Sequence, residues 1–199
     1  MIVPAVSRLA LENPMKLNPK STALVLIDLQ KGILGMPVQP HSGADIYQRS
    51  TALAQRFRAA GAPVVWVRVS FGAGHALAPR QPVDQPSNLS GLPAGWDEFP
   101  ELPERAGDIV VTKRQWGAFH GTDLELQLRR RGISGIVLGG IATNIGVEST
   151  ARNAWELGFE LVVAEDLCGG NSAEMHAFAF KNILPRIARI TTAEAIQLV

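Results

Sequence analysis

Six short apolar runs, each followed by a stretch that reads as helix or turn, constrain the fold of this chain more than any other feature. The runs are Ala23–Ile27, Val64–Val69, Asp108–Thr112, Gly135–Leu138, Leu161–Ala164 and Ile187–Ile190. The first is apolar on both faces, as a strand covered by helices on each side must be. Helices are expected over roughly 44–60, stopped by Gly61 and Pro63, and over the segment DLELQLRRRG behind Thr122, with Leu124 and Leu128 on one face. Two more are expected, one after residue 146 carrying Val147, Ala151, Ala154 and Trp155 at helical spacing, and one near 172–183. A last helical turn is read over Thr192–Leu198. Strands and helices alternating in this way predict right-handed βαβ units and an α/β fold with a parallel sheet covered on both faces.

At 199 residues the chain is most simply one domain, read as 21–199, behind a lead-in of residues 1–20 that holds three prolines and no sustained period. Arg8 and Glu12 interrupt any apolar core there, so no signal peptide is expected, and Met15 is a second candidate start. A formal net charge of +1 gives no footprint for nucleic acid or an anionic membrane. The one dense basic run, Arg129–Arg131, sits where a helix ends and suits the helix dipole. A single cysteine excludes an internal disulfide and is compatible with the cytoplasm, the expected location. No apolar run approaches membrane-spanning length, so no membrane partner is expected. Residues 71–107 are rich in Gly and Pro and follow neither period; a loop this long is usually a lid, a binding loop or an oligomer contact.

Neither GxGxxG after the first strand nor GxxxxGK[ST] anywhere is present, which removes the common nucleotide fingerprints. In open parallel sheets ligands bind at the carboxyl ends of the strands. Asp28, Lys113 and the turn 139–146 all fall at such ends. The stretch Gly139–Arg152 reads GGIATNIGVESTAR; Thr143 or Asn144 can cap its helix and Gly158 can end it. Each feature has an ordinary alternative: a tight turn with convenient glycines, a capping aspartate, a solvated lysine. Together they can supply proton transfer and charge stabilisation. No protein nucleophile accompanies them, because Cys168 follows a different strand and reads as a small buried residue, and no GxSxG elbow occurs. His41, His75, His120 and His176 are scattered, with no HExxH and no CxxC, so no metal is expected. Trp116 and Phe119 line a pocket or serve as ordinary core or interface aromatics. Arg68 or Arg114 could meet a substrate carboxylate bidentately.

The segments ALVLIDLQKGIL (23–34), VTKRQWGAFHGTDLELQLRRRGI (111–133), VLGGIATNIGVESTARNAWELG (137–158) and LVVAEDLC (161–168) resemble, in order and separation, the isochorismatase-like or cysteine hydrolase family. Within that family the chain is similar to a bacterial group carrying TNIGVESTARNAW. The resemblance implies a three-layer α/β/α fold with a six-stranded parallel sheet. It aligns Asp28 and Lys113 with two members of the Asp–Lys–Cys triad of the amidohydrolases and puts Gly146 where their Cys stands. True isochorismatases also depart from Cys there and use the Asp as an acid without a covalent intermediate. The Asp-x-His metal motif of nicotinamidases has no counterpart at His41. By the same resemblance the Ile141–Ala142 peptide is expected to be cis, the N–H groups of Ala142 and Gly146 form an oxyanion hole, and Gln30, Arg68, Trp116 and Ile141 meet substrate. The expected function is hydrolysis of a small anionic metabolite by an Asp–Lys pair and water, without a cysteine nucleophile or cofactor, in a homo-oligomer. The alternative is a catalytically silent member that binds a metabolite or serves as a structural oligomer.

Overall fold

The computed structural model describes residues 14–101 and 107–199. In chain order its strands are β1 (Met15–Leu17), β2 (Thr22–Ile27), β3 (Val64–Val69), β4 (Ile109–Lys113), β5 (Gly135–Ile141), β6 (Glu160–Gly169), β7 (Arg189–Thr191) and β8 (Ile196–Leu198). The α-helices are α1 (Lys31–Leu34), α2 (Gly43–Ala59), α3 (Leu124–Arg129), α4 (Glu148–Glu156) and α5 (Ala173–Phe178). Single π-helical turns occupy Thr143–Val147, leading into α4, and Ala179–Ile183, continuing α5.

Six strands form one sheet in the order β4-β3-β2-β5-β6-β7, with every pairing parallel. The order reverses direction between β2 and β5, and that switch point is where a doubly wound sheet opens a crevice. Alternate residues of each strand feed two separate cores. Ala23, Val25 and Ile27 pack on one face with Leu124, Leu128, Ala151 and Ala154 from α3 and α4. Leu24 and Leu26 pack on the other with Ile46, Leu53, Ala54 and Phe57 from α2. The period of two within the sheet thus sets the two faces, and helices cover both, giving the three-layer α/β/α fold. Leu24, Leu26 and Ile27 are fully buried, each stabilising the fold by about 1.5–3 kcal/mol relative to exposure.

Several sequence expectations change, among them the turn expected from residue 139, since β5 runs on to Ile141. Met15–Leu17, inside the stretch read as an irregular lead-in, is a strand, because it pairs in parallel with Ile196–Leu198. Those same residues replace the helical turn expected over Thr192–Leu198; two three-residue strands are too short to show a period. The run at Leu161–Ala164 continues to Gly169, so Cys168 lies within β6 rather than after it. Charged Glu165 and Asp166 hid that continuation.

Residues 71–101 and 107–108 are irregular apart from a 3₁₀ turn at Ala73–His75, and the rest of the expected 71–107 loop lies outside the described residues. The loop folds back over the chain that follows β2. Lys31 N–H donates to Glu98 O at 2.8 Å, Gly32 N–H donates to Trp96 O at 3.0 Å, and Phe99 is buried against the α2 face.

Candidate active site

Strand β2 stops at Asp28 because that residue turns into the left-handed region, at φ +56°, which Asp tolerates better than most side chains. Its N–H still donates to Val67 O at 2.8 Å, so the turn begins on the last rung of the ladder. Lys113 ends β4, two strands away. Two interstrand spacings are about 9.5 Å, and the long lysine stem spans the end of β3 to put Nζ 2.7 Å from Asp28 Oδ2. The expected approach of these two groups is therefore present. Lys113 Nζ also donates to Gln115 O at 3.1 Å.

Asp28 is 6% exposed and Lys113 2%. Burial pushes the Asp28 carboxyl up to about 6, and the charge and hydrogen bond of Lys113 hold it from rising further. Only Oδ2 faces the lysine. Oδ1 is buried and meets no hydrogen-bond partner among the described residues. The Val69 backbone N–H, which Gln30 engages, is also close enough to lower the carboxyl slightly.

The third component comes from β5. Its register shifts between Leu138 and Gly140, and Gly140 sits at φ +134° with its Cα so close to β2 that a Cβ would stand 2.2 Å from Ile27 O. Only glycine permits this approach. The Ile141–Ala142 peptide is cis, as expected. A π turn then carries Gly146 to the pair: a Cβ there would lie 3.1 Å from Ile27 Cγ2, 3.2 Å from Asp28 Oδ2 and 3.6 Å from Lys113 Nζ. Asp28, Lys113 and Gly146 therefore meet at one point.

The capping expected of Thr143 or Asn144 does not occur. Ala142 precedes the turn without a side-chain cap, Thr143 Oγ1 is 2.8 Å from His176 Nδ1, and Asn144 Nδ2 points at Met175 Sδ. Among the residues expected to meet substrate, Ile141 is 3% exposed at the end of β5, beside the site. Gln30 is fully buried and both ends of its amide are used by the Val69 backbone, at 2.8 Å each. Arg68 pairs across the ladder with Thr112, and Val69 with Lys113. Arg68 accordingly points to the opposite sheet face from Lys113, donating to Thr112 Oγ1 at 3.1 Å. Arg114 donates to Ser70 O, and Trp116 is 63% exposed. Gln30 and Arg68 thus serve strand ends, and Trp116 faces outward.

Thr150, Glu165 and His176 belong to the site's surroundings and carry no local sequence signal. Thr150 Oγ1 donates to Gly146 O at 2.7 Å and accepts from Ala118 N–H at 3.1 Å, stitching the turn to the segment after Lys113. Among the described residues no group of three His, Cys, Asp or Glu side chains is arranged to hold a metal ion, and no helix is long and apolar enough to cross a membrane.

Known proteins share this arrangement of segments. The profile of the Isochorismatase domain matches residues 22–195. The isochorismatase family protein YecD of Escherichia coli O157:H7 is 57% identical over 183 residues, covering 92% of this chain and 97% of YecD. The ureidoacrylate amidohydrolase RutB of Pseudomonas syringae pv. syringae (strain B728a) is 32% identical over 187 residues, covering 82% of this chain and 76% of RutB. Among solved structures, an isochorismatase family protein from Burkholderia thailandensis superposes with a TM-score of 0.85 at 45% identity, over 92% of this chain and 96% of that one. On its sequence, its sheet order and its relatives, the chain belongs to the isochorismatase family of hydrolases.

Proposed function

We propose that this chain hydrolyses a small anionic metabolite through Asp28, Lys113 and water, with no cysteine nucleophile. The observation that carries this reading is the divided environment of Asp28. One carboxyl oxygen is held by Lys113 at 2.7 Å, and the other is buried without a partner among the described residues. An acid raised to about 6 holds its proton part of the time near neutrality and can give it up through Oδ1.

A vinyl ether suits such a group. Asp28 protonates the terminal carbon of the double bond, the ether oxygen shares the resulting positive charge, and water adds to the oxocarbenium carbon. The water's proton returns to Asp28, and the hemiketal then collapses to an alcohol and a ketone. No step needs a protein nucleophile. Lys113 balances the carboxylate while it is ionised, and the Ala142 and Gly146 amides would stabilise negative charge developing on oxygen. Glycine at 146 puts no side chain beside the carboxylate. Amide hydrolysis by the same water is a variant of this reading, suggested by the relative named as a ureidoacrylate amidohydrolase.

A silent metabolite-binding member is the second reading, favoured by the near-complete cover of the Asp28–Lys113 pair. The protein is proposed to act as a homo-oligomer. Assays against isochorismate, other small vinyl ethers and a panel of small amides and ureido compounds separate the two. The hydrolase reading expects turnover that Asp28→Asn abolishes and a kcat/KM that falls above about pH 6, where the acid is lost. Tight binding with no turnover of any member would sink it.

A further inference from the structure

Thr143, His176 and Glu165 form a hydrogen-bonded line that the proposed chemistry does not use. Thr143 Oγ1 lies 2.8 Å from His176 Nδ1, and His176 Nε2 lies 2.9 Å from Glu165 Oε1. His41 Nε2 approaches the same oxygen at 3.4 Å, and the Phe180 ring packs on the imidazole at 4.6 Å between centroids. The order hydroxyl, imidazole, carboxylate is that of an acyl-transfer triad. Thr143 is nevertheless fully buried, and the imidazole takes up its hydroxyl.

What the line holds is backbone. Burial would raise the Glu165 carboxyl, but the imidazoles of His176 and His41 beside it outweigh burial and hold it at about 2. An ionised carboxylate only accepts, so His176 donates through Nε2–H. Whenever the ring is neutral, Nδ1 is then an acceptor and Thr143 Oγ1–H donates to it. The first residue of the π turn is thereby tied to α5 and β6. On the far side of Gly146, Thr150 ties Gly146 O to Ala118 N–H. Gly146 is suspended between two buried hydroxyl tethers.

We infer that His176, oriented by Glu165, is a positioning residue that sets, through Thr143, where the 143–147 turn holds Gly146 against Asp28 and Lys113. This rests on the reading of those three residues as the site. A thiol introduced by Gly146→Cys reports on the position directly. Its alkylation rate with iodoacetamide, measured across pH, should far exceed that of buried Cys168. Adding Thr143→Val keeps the shape but removes the donor, and should slow the introduced thiol by about tenfold, as a displaced reacting group does. Thr143→Ser keeps the hydroxyl and should restore most of that rate.

In the unmutated protein, ¹⁵N spectra recorded at a pH where the His176 ring is neutral should show the Nε2–H tautomer, a readout that needs no variant to fold. A fast thiol that Thr143→Val leaves unchanged, or an Nδ1–H tautomer, overturns the positioning role alone. A thiol at 146 no faster than Cys168 overturns the site reading, and this inference with it.

Discussion

Replacing Lys113 by Met probes the buried pair most directly. In the native chain Lys113 Nζ stands 2.7 Å from Asp28 Oδ2, with both groups almost wholly out of solvent. Burial nevertheless lifts the carboxyl from 3.8 to about 6. The difference of about two pH units corresponds to about 3 kcal/mol against the ionised form. Unit charges about 4 Å apart attract by about 4 kcal/mol at an effective dielectric near 20. Removing the lysine therefore adds a penalty of similar size to the one already present, and Asp28 should stay protonated through neutral pH. Linkage gives the sign. The folded acid holds its proton more tightly than the unfolded chain does, so its contribution to stability is greatest below pH 3.8, declines up to about pH 6, and is level above. In Lys113→Met the declining limb should extend to higher pH. Carbon-13 titration of the Asp28 carboxyl, assigned with Asp28→Asn, measures the first quantity, and urea midpoints across pH measure the second. A native carboxyl titrating near its ordinary value, or one unmoved by Lys113→Met, would refute the reasoning.

Gly140→Ala should cost several kcal/mol or prevent folding, since a Cβ would stand 2.2 Å from Ile27 O at a backbone angle of +134°; a urea midpoint close to the native one would show that β5 does not approach β2 so closely. Sedimentation at micromolar concentration should find a homo-oligomer, because Trp116, Trp155, Met175 and Phe178 are all more than half exposed; a lone monomer would count against it.

The sheet was legible because each strand of a doubly covered parallel sheet must be apolar on both faces, and Ala23–Ile27 can be little else. Asp28 and Lys113 were legible for a related reason: a charged residue at the end of such a run is at the carboxyl edge, where ligands bind. For Gln30 and Arg68 the resemblance supplies residue types, whereas the ladder register decides which face a side chain takes. Arg68 pairs with Thr112, one residue before Lys113, and that single step turns it to the other face. Thr143 reads locally as a helix cap, and only the fold brings His176 within 2.8 Å to claim its hydroxyl. The pairing of Met15–Leu17 with Ile196–Leu198 joins the two ends of the described chain and has no local signature at all.

The glycine at 146 bears on what kind of chemistry the remaining pair can do. In a thiol hydrolase a carboxylate beside the sulfur must take a proton, which asks for an aspartate ionised at neutral pH. Here the carboxyl is raised to about 6, so a minor protonated fraction persists near neutrality, and Oδ1, without a partner among the described residues, would offer a path for giving the proton away. A side chain at 146 would begin 3.2 Å from Asp28 Oδ2 and 3.1 Å from Ile27 Cγ2, tighter than ordinary contact. Cys168 cannot substitute for a thiol there, since it is fully buried, donates to Ala164 O, and burial pushes its own titration far up. In the proposed reading, glycine at 146 and a raised acid would be two sides of one arrangement. For that reading the lysine that spans two strands to meet the carboxyl at 2.7 Å weighs against a silent site.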